Sequence, residues 1–481
     1  MHLRAVTLKP TVFIRIERVL APLNTKSTGK SLSMTATSTS ALKATSKMSD
    51  SLSGRVKAPG DKSVSHRALI FGAMASGQTT INGLLEGADI MSTADAMRAL
   101  GANIAKTANG EWTVEGCGNS GFKTPDDVID CGNAGTGVRL IMGAVAGYGI
   151  EATFVGDASL TSRPMGRILN PLREMGAQFE AASGDKLPTT LKAGKPLSSI
   201  DFTPPHASAQ VKSAILLAGL RAKGQTSITE PTLTRDHTEN MLKAFGAKLS
   251  STKRGDGQIV KIDGGQALKG THVVVPGDPS SAAFLMVAAL ITPESDVIIE
   301  NVMMNPTRTG LFETLTEMGG YIRADNFRTS GGEIIADIHV KSSRLHGVSV
   351  PTHRAPSMID EYPILAVAAA FAKGRTIMDG IGELRVKESD RIAATEALLK
   401  ENGVNVTSHQ DGMTVIGGTK PKGGATVKTH HDHRIAMSAL ILGLQSQTPV
   451  SVDDATMIAT SFPTFFDLMQ TLGAKIEVSA N

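Results

Sequence analysis

Six basic side chains, Lys62, Arg67, Arg163, Lys387, Arg391 and Arg434, stand at or beside predicted helix starts, and two acids, Asp360 and Glu388, stand in similar places. Cations fixed at helix N-termini bind anions, because unpaired backbone N–H groups and the helix dipole add to their field. A carboxylate held within reach of a reacting hydroxyl or carbon moves protons. Each segment also has a plain structural reading. Lys62 and Arg67, in Pro59-Gly60-Asp61-Lys62-Ser63-Val64-Ser65-His66-Arg67, could be solvated charges on a capped helix start. Arg163, placed before Pro164 at a predicted first turn, could lie on the surface. Asp360 could cap the apolar helix that follows Tyr362-Pro363, and Val386-Lys387-Glu388-Ser389-Asp390-Arg391 could be a charged loop.

Three further segments fit the same chemistry. Asn133-Ala134-Gly135-Thr136-Gly137-Val138-Arg139 is a Gly-rich turn running into a helix, which lets backbone amides approach an oxyanion closely, although such a turn alone marks only a tight bend. Ser208-Ala209-Gln210 opens another helix, where Ser208 reads as an N-cap. Arg235 could pair with Glu239 one helical turn on. His430-His431-Asp432-His433-Arg434 invites a metal reading, but adjacent residues rarely converge on one ion and no distant ligand pair supports it, so no metal is expected.

The elements that carry these residues repeat. A helical pattern ending in glycine and followed by a β-prone run recurs at Gly101, Gly176, Gly246, Gly319, Gly403 and Gly473, at separations of 75, 70, 73, 84 and 70 residues. Glycine suits the left-handed position after a last helical turn. Between these markers lie small, apolar helices with polar openings, over 61–75, 135–146, 208–220, 280–291, 360–372 and 432–442. Helices without a charged face are buried. Six units of about 70 residues follow, and an even split places a boundary near Val275-Pro276-Gly277.

Composition narrows the function. A 481-residue chain with 41% hydrophobic and 20% charged residues is expected to form two domains of a soluble protein. With 4% aromatic residues it offers no stacking platform for nucleic acid, and its apolar runs are too short for a membrane span. The net charge of +4 owes itself to residues 1–49, which hold eight Lys/Arg and one acid; the remainder has 41 basic and 44 acidic residues, a net of −3. An anion site must therefore come from local concentration of cations. Cys117 and Cys131 lack metal-ligand spacing and read as ordinary thiols. Residues 1–50 read as a disordered extension: either an over-extended reading frame of a bacterial cytoplasmic protein, with Met34 or Met48 as internal starts, or an organelle transit peptide.

These motifs together resemble those of the 5-enolpyruvylshikimate-3-phosphate synthases, of the enolpyruvyl transferase family, from about Leu52 to Glu477. The resemblance implies an α/β fold, a two-domain inside-out barrel of six βαβαββ repeats, with residues 61–276 forming one domain and 51–60 plus 277–481 the other. It implies transfer of enolpyruvyl from phosphoenolpyruvate to the 5-hydroxyl of shikimate 3-phosphate, in the shikimate pathway of aromatic amino-acid biosynthesis, without cofactor or metal. It places Lys62, Asn133, Gly135, Thr136, Arg163, Arg391 and Arg434 on phosphoenolpyruvate. It places Lys62, Ser63, Arg67, Ser208, Ala209, Gln210, Arg235, Asp360 and Lys387 on shikimate 3-phosphate. Asp360, Glu388 and Lys62 would be catalytic, with Asp432 or His433 orienting Arg434.

Departures from the family pattern carry information too. Gly135 stands where many glyphosate-tolerant members carry Ala, so sensitivity to that phosphoenolpyruvate-like inhibitor is expected. No Cys lies between Gly156 and Arg167, unlike the reactive loop Cys common in the sister enzyme that acts on UDP-N-acetylglucosamine. Ala459-Thr460-Ser461-Phe462-Pro463 lacks the Lys that many members carry before Ser-Phe-Pro, which is similar to the class II branch. A cytoplasmic monomer is expected, or a plastid protein if the extension is a transit peptide.

Overall fold

The computed structural model describes residues 41–480. The extension expected over 1–50 lies outside the described residues as far as residue 40. Residues 42–46, assigned to it, are instead a strand whose Ala44 is buried in the core. The alternating Leu42-Lys43-Ala44 pattern is too short to stand out from a Ser/Thr/Lys-rich context, and pairing with strands over 400 residues away makes it a strand.

All six apolar helices are present: Lys62–Met74, Gly135–Val145, Ala209–Gly219, Pro279–Ile291, Tyr362–Phe371 and His433–Gly443. Asp61, Ser208, Asp278 and Asp432 cap four of them, each accepting a backbone N–H of the first turn. In Pro279–Ile291, twelve of thirteen residues are buried, so this helix exists only inside protein. Each large side chain there contributes about 1.5–3 kcal/mol through burial.

A second set of helices, Ala88–Ala99, Gly166–Glu174, His237–Ala244, Gly310–Glu317, Arg391–Glu401 and Phe465–Thr471, ends at the six predicted glycines. Their φ angles run from 79° to 111°. In each, the residue after the glycine donates to a carbonyl five residues back, as Ala102 does to Met97 at 3.0 Å. The six termini are one motif used six times.

Six four-stranded sheets complete the repeats. In each, a short edge strand pairs parallel with the strand that follows a buried helix, and two antiparallel strands extend the sheet. Three sheets are completed by distant chain. Leu42–Ser46 inserts between Val450–Val452 and Ile476–Ala480, and Ser53–Lys57 pairs with Asp296–Met303. His272–Val274 returns to pair with Gln78–Asn82. The chain thus builds two hydrophobic cores. One gathers buried residues from Val64 to Val275 together with Met303; the other joins Ala44, Leu52, Val56 and Ala58 to the remaining buried residues from Ala282 to Ala474. The helices lie inside and the sheets outside, an α/β inside-out barrel of six repeats.

Candidate active site

The buried helices direct their N-termini into one cleft of about 870 Å³, lined from both cores. From the first core come Lys62, Ser63, Asn133, Gly135, Thr136, Arg163, Ser208, Ala209, Gln210 and Arg235; from the second come Asp360, Lys387, Glu388, Arg391 and Arg434. Of the sixteen residues expected at a site, only Arg67 does not line it. Arg67 is buried beneath the floor, donating to Ser63 O at 2.9 Å, Thr238 Oγ1 at 2.8 Å and Ser213 Oγ at 2.9 Å. Burial lowers its pKa to about 10, and it supports the helix start that carries Lys62 and Ser63.

One wall is a Gly-rich turn braced by arginines. Asn133 accepts from Arg163 Nη2 at 2.7 Å and donates to Asp157 at 2.7 Å. Thr136 accepts from Gln210 Nε2 at 2.9 Å, and Gln210 Oε1 accepts from Arg139 at 2.9 Å. A Cβ on Gly135 would stand 2.9 Å from Arg163 Nη1 and 3.3 Å from Arg139 Nη1, so two guanidinium groups use the space that glycine leaves. The expected helix start at Arg163-Pro164 lies two residues later. Arg163 ends the short helix Ala158–Ser162 with ψ 137°, the extended conformation favoured before proline, and Met165 precedes the next helix.

The opposite wall holds the acids. Asp360 does not cap the helix after it: Glu361 occupies the cap position, while Asp360 meets Arg235 at 2.6 Å, Arg391 at 3.2 Å and Lys387 at 3.8 Å. Arg235 makes no pair with Glu239, which instead faces the buried Lys212 at 2.7 Å. Glu388 meets Arg391 at 2.6 Å and Arg163 at 3.9 Å. Arg434 donates to Asp360 O at 3.0 Å and to Glu361 at 3.3 Å. Lys62 pairs with Asp89. Asp432 is occupied by its helix cap and by Arg391 Nε at 2.8 Å.

These pairs set the charge states. Burial alone would raise the carboxyl pKa of Asp360, but Lys387, Arg235, Arg434 and Arg391 outweigh it and hold it well below the ordinary range. Glu388 is likewise held well below its usual value, burial being outweighed by Arg391 and Arg163. Burial and the neighbouring Arg434 push His433 down to about 3, so its ring is neutral. The cleft therefore presents ionised acids clasped by guanidinium groups, an arrangement that anionic ligands can redistribute.

The sequence did not mark Arg139, Arg167, Asp89 or Arg308, all of which line the cleft. Arg139 had a readable signal: four residues after Gly135 on the same helix, it lies one turn along the face that meets the cleft. The others gain their place from chain brought together only by folding. Beside Lys62, Asn133 and Glu388 a smaller cavity of about 350 Å³ is bordered by Thr460, so the segment that lacks the family lysine adjoins the site.

Comparison with known proteins agrees with this geometry. The EPSP synthase (3-phosphoshikimate 1-carboxyvinyltransferase) family matches residues 46–469. The 3-phosphoshikimate 1-carboxyvinyltransferase of Chelativorans sp. (strain BNC1) is 58% identical over 438 residues, 90% of this chain and 97% of that protein. That of Caulobacter vibrioides (strain NA1000 / CB15N) is 59% identical over 430 residues, 88% and 96% of the two chains. The solved EPSP synthase from Acinetobacter baumannii superposes with a TM-score of 0.81 at 44% identity, covering 91% of this chain and all of that one. With the matched span holding every cleft residue discussed above, the chain belongs to the EPSP synthase (3-phosphoshikimate 1-carboxyvinyltransferase) family.

Proposed function

We propose that the cleft binds phosphoenolpyruvate and shikimate 3-phosphate together and transfers the enolpyruvyl group to the 5-hydroxyl, releasing phosphate, as a 3-phosphoshikimate 1-carboxyvinyltransferase of the shikimate pathway. The observation that carries this reading is the meeting of Lys62, Arg163, Arg235, Lys387, Arg391 and Arg434 with Asp360 and Glu388 in one cleft. The two substrates bring about five to six negative charges at neutral pH. Lys62, Arg163 and Arg235 come from the first core and Lys387, Arg391 and Arg434 from the second, so the two cores act as domains, residues 61–276 and residues 51–60 with 277–481, that close on the substrates and exclude water.

The chemistry is addition followed by elimination. The 5-hydroxyl attacks C2 while C3 takes a proton, and the tetrahedral intermediate then loses phosphate. Asp360, ionised, accepts or orients the hydroxyl proton. Glu388 protonates C3 and later takes a proton back, with Lys62 beside it. As Glu388 starts ionised, it becomes a donor once anionic oxygens of phosphoenolpyruvate take over Arg391 and Arg163, whose charge now depresses its pKa. Asn133, Gly135 and Thr136 hold phosphoenolpyruvate with Arg163, Arg391 and Arg434. Ser63, Ser208, Ala209, Gln210, Arg235 and Lys387 hold shikimate 3-phosphate, and Arg67 serves from below. The reaction calls for no cofactor, since phosphate is already the leaving group of phosphoenolpyruvate, an activated enol phosphate. The likeness to class II rests on the absent lysine before Ser461-Phe462-Pro463.

No helix among the described residues is long and apolar enough to cross a membrane. The deciding experiment is phosphate release from phosphoenolpyruvate with shikimate 3-phosphate or UDP-N-acetylglucosamine as acceptor. Release only with shikimate 3-phosphate is expected; release only with the nucleotide sugar, or with neither, overturns the assignment.

A further inference from the structure

The chain passes between its two cores through a pair of like segments, Pro59-Gly60-Asp61 and Pro276-Gly277-Asp278. They lie antiparallel and bond to each other: Asp61 N–H donates to Pro276 O at 2.7 Å and Asp278 N–H to Pro59 O at 2.8 Å. The passage is tight, for a Cβ on Gly60 would stand 2.1 Å from Gly83 O. Each segment ends in an aspartate that caps a buried helix, Asp61 accepting from Val64 N–H and Asp278 from Ser280 N–H, both at 2.8 Å. Two buried carboxylates thus face each other where the cores join.

Arg308 spans them. Its side chain, 3% exposed, donates to Asp61 Oδ2 at 2.7 Å, to Asp278 Oδ1 at 3.0 Å and to Ser280 Oγ at 2.9 Å. The turn that presents it is fixed by Asn305 Oδ1, which accepts from Thr307 N–H and Oγ1. Ser280 in turn donates to Glu361, which pairs with Arg434, whose guanidinium donates to Asp360 O. A planar fork can hold two carboxylates and a hydroxyl at once; an ammonium group cannot hold the same geometry. Arg308 differs from the other cleft cations in its partners: its two terminal nitrogens bond the two crossover aspartates and Ser280.

We propose that Arg308 is a positioning residue: it locks the two crossover segments together and so fixes Lys62 and Ser63, just after Asp61, relative to Arg434 and Asp360. This role rests on the assignment of those residues to enolpyruvyl transfer. Loss of Arg308 leaves Asp61 and Asp278 as uncompensated buried charges that push the two helix starts apart, and a shift of about 1 Å at the reacting groups costs on the order of 100-fold in rate.

The test compares the full wild-type chain with Arg308→Lys, Arg308→Met and the double variant Arg308→Met/Asp278→Asn, by steady-state phosphate release, calorimetric binding of shikimate 3-phosphate and thermal melting. Arg308→Lys is expected to fold and to bind shikimate 3-phosphate within about threefold of wild type, while kcat falls about tenfold or more. Arg308→Met should fall further and the double variant should recover part of the loss. If Arg308→Met does not fold, the Lys variant decides alone. A folded Arg308→Lys with kcat within about twofold of wild type, or a loss confined to shikimate 3-phosphate affinity, overturns the role. An inactive wild-type chain would overturn the reaction itself, and with it this role.

Discussion

Arg235 Nη2 lies 2.6 Å from Asp360 Oδ2, an ion pair that joins segments of the two cores across the cleft. The residue proposed to hold shikimate 3-phosphate is therefore engaged with the acid proposed to receive its proton. A bound phosphoryl group that drew Arg235 away would leave Asp360 facing the 5-hydroxyl with one cation fewer.

Arg235→Ala is accordingly expected to weaken shikimate 3-phosphate binding by about 10- to 100-fold, the loss of a charged hydrogen bond of about 1.5–3 kcal/mol. Titration calorimetry checks this. An unchanged dissociation constant would remove Arg235 from the site.

Glu388→Gln keeps the shape of the side chain and removes its proton chemistry. We expect kcat to fall by about 100-fold or more, the usual worth of a positioned acid or base, with KM values changed only a few-fold. A rise in KM alone, measured by phosphate release, would make Glu388 a binding group.

Gly135→Ala would insert a methyl group 2.9 Å from Arg163 Nη1. Its backbone is helical, so folding should be unaffected, while the displaced guanidinium should raise KM for phosphoenolpyruvate and the Ki of glyphosate. The unsubstituted chain should be inhibited by millimolar glyphosate. Persistence of full activity there contradicts the reading of this pocket.

Asp61 links the crossover to acid stability. Burial would raise its pKa, but Arg308 and His237 outweigh burial and lower it from 3.8 to about 2. A carboxylate depressed on folding stabilises the protein above its unfolded pKa, and that contribution is lost as pH falls through the folded value. The contribution, about 2 kcal/mol, should be complete above about pH 4 and vanish towards pH 2. Melting of wild type and Asp61→Asn across this range should show a gap that narrows on acidification. Asp278, raised by burial and by Asp61 itself, titrates with it and broadens the change. A gap independent of pH would show that Asp61 acts only as a helix cap.

Local physics made much of this protein legible in one dimension. A Schellman ending needs a left-handed residue, so Gly101, Gly176, Gly246, Gly319, Gly403 and Gly473 announce helix ends wherever they fold. Helices such as Pro279–Ile291 have no polar face and must be buried, and their polar openings mark where backbone donors remain free. That is why fifteen of the sixteen expected site residues line one cleft, although the sequence alone left open whether each was a ligand or a cap. Tertiary structure decided what depends on distant partners. Arg308 sits in an unremarkable turn, 247 residues from Asp61, and acquires a role only where the crossover sets two like charges beside it. Arg67 carries the same charge as its neighbours, yet Thr238 and Ser213 claim it beneath the floor. Leu42–Ser46 is a strand because its partners come from the other end of the chain. Pattern along the chain reports what a residue needs from its own helix or turn; which charges meet, and which face the cleft, is set by the closure of six repeats around two cores.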